Sequence, residues 1–158
     1  MPPLLLFDLS QIDLESAPIF DKEAIEQVNF QRYEMQQLDG VLWYDKEKHL
    51  ILGYKDVTGE EFWVRGHIPG RPLMPGVIMI EAAAQLLTFF VCGVLKVDAF
   101  IGFVGIESTK FRLTVKPGQR LYILGHLTKY KGRKYTANIQ GVVNGEMVFE
   151  TVVSGMKV

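Results

Sequence analysis

The sequence predicts one α+β domain in which a single long helix is buried against a meander of antiparallel strands. Three observations carry this expectation. The run from Pro75 to Leu95 is apolar on almost every side, the mark of a helix enclosed by protein and not laid on a surface. Downstream, segments between Lys110 and Val153 alternate apolar and polar residues with the period of strands buried on one face. Turn signals separate them, Pro117-Gly118, Lys131-Gly132 and Asn144-Gly145, and no repeat, linker or low-complexity tract interrupts the 158 residues. A sheet curved round the helix would bury it, and Ala82, Ala83 and Ala84 would let the strands approach closely. The length suffices for one domain with a real core and not for two.

In chain order, residues 1–20 contain Pro2, Pro3 and Pro18 and show no period, so they read as an extended or loosely docked arm, with the folded domain at 21–158. Asp21 caps a short helix through Val28, with Glu23 and Glu26 on early turns where the helix dipole favours anions. Asn29 to Asp39 reads as a loop or the approach to a strand. Val41–Tyr44 and Leu50–Tyr54 form a hairpin across the charged turn Asp45–Lys48. Glu60–Arg65 leads into a Gly/Pro-rich loop carrying His67. Pro75 then suits the first helical position, because its φ is preset and its missing N–H would have been unpaired there. After the helix, Phe111, Leu113 and Val115 alternate with Lys110, Arg112, Thr114 and Lys116 as one strand. Leu121–Leu127, Tyr135–Val143 and Met147–Val153 complete the meander, the last two joined by Asn144-Gly145.

The helix carries an exception to its own composition. At 100° per residue Glu81, Gln85, Thr88 and Cys92 fall within roughly 60° of one another, a narrow polar stripe. A lone ionised carboxylate in apolar surroundings is expensive, so Glu81 should meet a partner or keep its proton. Either state suits a general acid. His67, held in a rigid loop just upstream, is the matching candidate base, whereas His49 and His126 read as solvated turn and strand residues.

Composition excludes several classes. The lone Cys92 permits no internal disulfide, points to a reducing compartment and reads as a small buried hydrophobe. Met1 to Phe7 lacks the basic start and apolar length of a secretory signal. Val77–Leu95 is long enough to span a membrane, but Glu81 and Gln85 near its start and the strands around it argue against a span. There is no metal-ligand spacing, phosphate-binding glycine loop, nucleophile elbow or aromatic-studded nucleic-acid surface. Charge is uneven: acids outnumber bases by 13 to 5 through Glu61, and bases outnumber acids by 12 to 5 after it. The basic half fits an acidic partner.

The block His67-Ile68-Pro69-Gly70-Arg71-Pro72-Leu73-Met74-Pro75-Gly76-Val77, followed by Glu81-Ala82-Ala83-Ala84-Gln85, closely resembles the signature of the FabZ-type 3-hydroxyacyl-acyl-carrier-protein dehydratases. The match continues through Phe103–Glu107 and Phe111–Gly118 and spans about Asp21 to Lys157. The resemblance implies the hot-dog fold, a long helix wrapped in an antiparallel sheet, and conversion of a (3R)-hydroxyacyl-acyl-carrier-protein to the trans-2-enoyl product in fatty-acid synthesis. It makes His67 the base at C2, Glu81 the acid at the C3 oxygen and the Gly76 N–H the donor to the thioester carbonyl. His67 of one chain would face Glu81 of another in a homodimer or a trimer of dimers. No metal or organic cofactor is implied, and the chain would be cytoplasmic.

The substrate would arrive on the phosphopantetheine arm of an acidic carrier protein. Lys110, Arg112, Lys116, Arg120, Lys129, Lys131, Arg133 and Lys134 are the candidates for docking it, and Phe89, Phe90, Phe100 and Phe103 the candidates for lining the acyl tunnel. Where many family members carry P-H-R-x-P, this chain has Phe30-Gln31-Arg32-Tyr33-Glu34, retaining only the arginine. The related FabA-type enzymes, which also isomerise the double bond, usually have Asp at the acid position; Glu81 therefore favours dehydration alone. A hot-dog thioesterase and a non-catalytic acyl-binding module are the alternatives, the second weakened by the presence of both His67 and Glu81.

Overall fold

A computed structural model describes residues 3–158. Helix α1 is Lys22–Glu26, with the Asp21 carboxylate accepting from the Ala24 N–H. Helix α2 spans Gly76–Phe89 and runs on through a π-helical turn at Phe90–Val94. Pro75 is its N-cap, not its first residue: a ψ of 136° holds it extended, and Gly76 opens the helix. Because a proline cap has no side-chain acceptor, the Gly76 and Val77 N–H groups have no partner among the described residues.

Six antiparallel strands form one sheet in the order β1-β2-β4-β5-β6-β3, with β1 Gly40–Asp45, β2 Leu50–Asp56, β3 Ile101–Phe111, β4 Arg120–Lys131, β5 Lys134–Val143 and β6 Glu146–Lys157. The sheet packs its inner face on α2 and its π turn, where Ala82, Ala83, Leu86 and Val91 are fully enclosed. The helix with its π turn is apolar enough to span a membrane, yet 72% of its most apolar window is buried inside the protein. Strands β4 to β6 follow the alternation in the sequence, and Asn144 and Gly145 take φ of 50° and 79°, as the tight hairpin turn requires.

The strand after the helix differs from expectation. It is Ile101–Phe111 and ends where the alternation in 110–116 begins; Leu113 and Val115 lie beyond it, Val115 buried and accepting the Met74 N–H at 2.8 Å. Register shifts between Phe103 and Gly105 and between Glu107 and Lys110 break the side-chain period along β3.

Residues 4–14 lie across the outer face of the sheet. Leu5, Leu6, Phe7, Leu9, Ile12 and Leu14 pack on a second apolar cluster of Leu42, Leu52, Tyr54, Leu124 and Val142. The Gln140 amide holds them by accepting the Leu6 N–H at 2.8 Å and donating to the Leu4 carbonyl at 3.0 Å. Further on, Phe20 bridges to Val41 and covers the free edge of β1.

Candidate active site

His67 sits in a loop without regular structure, tightened by Ile68 at φ 60° and Gly70 at φ 82°. A positive φ at a β-branched residue is strained and persists only where the surroundings over-determine it. Here they do: the His67 N–H donates to the Trp63 carbonyl at 2.8 Å, and the ring Nδ1 lies 2.8 Å from the Leu73 carbonyl. A carbonyl can only accept, so neutral His67 carries its hydrogen on Nδ1 and leaves Nε2 with a free lone pair. That is the tautomer of a base.

Gly76 is required by close approach. A Cβ there would lie 2.7 Å from the Phe111 ring, so no other residue fits without moving that side chain. Its unpartnered N–H, at the positive end of α2, suits an oxygen on which charge develops.

Glu81 lies one turn further on. Gln85, 2% exposed, donates from Nε2 to Glu81 Oε1 at 3.0 Å and to the Met35 carbonyl at 2.7 Å. Its Oε1 accepts the Gln37 and Leu38 N–H groups at 2.9 and 3.1 Å. Two N–H donors on one end and a carbonyl on the other leave the amide a single orientation, so Gln85 always presents a donor to the carboxyl. A proton on Glu81 then belongs on Oε2. The polar stripe marked Gln85 in the sequence, but its partners at 35–38 come from a segment with no period of its own.

Glu81, Gln85, Thr88 and Cys92 all line one cavity of about 180 Å³, walled also by Phe30, Gln31, Phe100 and Phe103. The stripe therefore faces a single space. Phe30 and Phe100 meet with tilted rings, 5.6 Å between centroids and 51° between planes. Phe89 and Phe90 are 1% exposed within the main core and take no part in this wall, a correction to the expected group of four. They lie roughly 80° and 180° round the helix from Glu81, outside the stripe. Burial pushes the Cys92 thiol above its ordinary value, and Sγ meets the Ala99 carbonyl at 3.4 Å. His67 does not line the cavity that holds Glu81.

Arg32 caps the local chain with donations to the carbonyls of Glu26, Asn29 and Gln31 at 2.7 to 2.8 Å. The arginine thus orders the segment whatever its neighbours are. Of the eight basic candidates, Arg112 is committed to Glu150, and Arg120 to Asp56 with its guanidinium over the Tyr54 ring at 3.9 Å. Lys110 and Lys116 flank the end of β3. Lys129, Lys131, Arg133 and Lys134 cluster at the exposed β4–β5 turn, with no ion pair among the described residues.

The FabA-like domain family matches residues 29–152. The 3-hydroxyacyl-acyl-carrier-protein dehydratase FabZ of Bacillus pumilus is 33% identical over 133 residues, covering 84% of this chain and 92% of that protein. FabZ of Fusobacterium nucleatum is 36% identical, covering 79% and 91%, and FabZ of Chlamydia trachomatis 31%, covering 89% and 94%. Among solved structures, the dehydratase heterocomplex ApeI:P of Xenorhabdus doucetiae superposes with a TM-score of 0.71 at 13% identity, over 85% of this chain and 90% of that one. The PaaI protein of the phenylacetic acid degradation operon of E. coli gives 0.58 at 13%, over 74% and 81%. At such identity these two speak to fold alone.

Proposed function

Because the chain belongs to the FabA-like family, as a hot-dog 3-hydroxyacyl-acyl-carrier-protein dehydratase of FabZ type, we propose that His67 and Glu81 are the base and acid of its elimination. The enzyme dehydrates 3-hydroxyacyl-acyl-carrier-protein in fatty-acid biosynthesis. That reaction removes a weakly acidic proton beside a thioester and expels a poor leaving group, so base and acid must act together. Nε2 of His67 takes the proton from C2, Oε2 of Glu81 gives one to the C3 oxygen, and water departs. The Gly76 N–H holds the charge that builds on the thioester oxygen. The observation that carries this reading is the imidazole orientation, with Nδ1 committed to Leu73 and Nε2 left free.

His67 does not line the cavity that holds Glu81, and we assign the working site to two copies together, each giving His67 to one site and Glu81 to the other. The exposed apolar side of β3 is the contact we assign to the second copy. The acyl chain occupies the cavity beyond Glu81, past Phe100 and Phe103. The carrier protein docks on cations not already paired, above all Lys129, Lys131, Arg133 and Lys134. The reaction belongs to the cytoplasm.

His67→Ala and Glu81→Gln should each lower turnover at least about a hundredfold with the fold kept, read by enoyl absorbance. Mixing the two inactive proteins after partial unfolding should restore roughly a quarter of the activity, because each mixed dimer holds one intact site. Near-normal rates in either single variant, or no recovery on mixing, would reject the assignment.

A further inference from the structure

The segment that delivers His67 contains no helix or strand between β2 and α2, so its place depends on anchors. One buried anchor is a cation. Lys55, 5% exposed, puts Nζ 3.1 Å from Glu61 Oε1 and 3.6 Å from Asp39 Oδ2. The other oxygen of Glu61 accepts the N–H and hydroxyl of Thr58 at 3.0 and 3.1 Å, and its main-chain carbonyl accepts the Val64 N–H at 3.1 Å. Beside it Trp63, 3% exposed, takes the His67 N–H on its carbonyl. A continuous path of contacts therefore runs from the ammonium group to the backbone of the base.

A second branch leads the other way. Asp39 accepts the Asp56 N–H at 2.8 Å and donates its own to the Tyr54 carbonyl at 2.9 Å. The residue before it, Leu38, is held by the same Gln85 amide that donates to Glu81. One buried cation thus ties together the two backbone segments on which base and acid depend.

Ions withdrawn from water are costly, and hydrocarbon of similar volume commonly serves stability as well or better. Burial indeed lifts the Asp39 carboxyl above its ordinary value against the pull of Lys55. What the cluster supplies and hydrocarbon would not is direction: Lys55, Glu61 and Asp39, with Lys22 3.6 Å from Asp39 on the solvent side, admit one arrangement of the loop. We propose that Lys55 is a positioning residue for the elimination, acting through Glu61 on the loop that aims His67 and through Asp39 on the backbone that Gln85 ties to Glu81. This inference rests on the assignment of His67 as the base.

The test replaces the cluster with neutral groups of similar size, Lys55→Met, Asp39→Asn and Glu61→Gln together, in the full chain. The expected protein folds, keeps KM within about twofold and loses at least about tenfold in kcat, since small misplacements of a reacting group are expensive. Nitrogen NMR of the His67 ring should change from a single Nδ1–H tautomer to a mixture. A folded variant with the kcat and ring signals of the wild type would overturn the inference. So would a loss of rate that vanishes once corrected for the unfolded fraction. If the triple variant does not fold, Glu61→Gln alone, which keeps an acceptor for Thr58, is read in the same way. The ring signal is independent of turnover, so full activity in His67→Ala would sink the base assignment, and this inference with it, while an unmoved ring signal sinks this inference alone.

Discussion

The two edges of the sheet are treated in opposite ways. At β1, Ile19 and Phe20 exchange main-chain hydrogen bonds with Val41, and Phe20 seats its ring 5.0 Å from Phe89, so the chain covers that edge with itself. At β3 nothing comparable covers the edge among the described residues: Phe103, Val104, Ile106 and Phe111 are each about half exposed along it. An uncovered, apolar edge strand is a liability that proteins blunt unless another chain is meant to use it. The contrast separates an edge the chain closes with itself from the one we assign to assembly.

The largest effect should come from breaking the open edge. Ile106→Asp should yield monomers by light scattering and lower turnover at least about a hundredfold, because no single chain then unites base and acid. A monomer with full activity would show that β3 is not the functional contact. Deleting residues 1–16 tests the closed side: it strips the outer apolar cluster, and the thermal midpoint should fall by about 10 °C while dimerisation and turnover of the folded enzyme persist. Phe20→Ala sharpens the same point with a smaller loss, about 2 kcal/mol in denaturant unfolding for a half-buried ring, and no change in assembly. Arg112→Gln should do least. The Glu150 pair it breaks is roughly one-third exposed on each side, and such pairs contribute under about 1 kcal/mol.

The long helix, the strands after Pro117 and the turn at Asn144 are legible in the sequence because each obeys a local rule of period or turn chemistry. Strand β3 is hidden, since its two register shifts break the period and its outward residues are apolar. Strands β1 and β2 show little alternation for another reason: Leu42, Leu52 and Tyr54 face the arm while Val41 and Ile51 face α2, so both sides are covered. Within the proposed site, His67, Gly76 and Glu81 stand out because their spacing carries a signature. The roles of Gln85 and Lys55 do not, because each joins segments distant in sequence, and no local pattern records that Asp39, Lys55 and Glu61 meet. Phe89 and Phe90 show the reverse failing, aromatic residues near the stripe whose angle round the helix sends them elsewhere.

If His67 is the base, its ring hydrogen bond to Leu73 would also govern recycling. With Nδ1 occupied, a proton lifted from carbon can leave only through Nε2, into the same enclosed space where, on the proposed assignment, an ionised Glu81 now waits. Its transfer there regenerates both groups without help from bulk solvent. A deuteron taken from C2 of one molecule would then be carried off in the water released by the next.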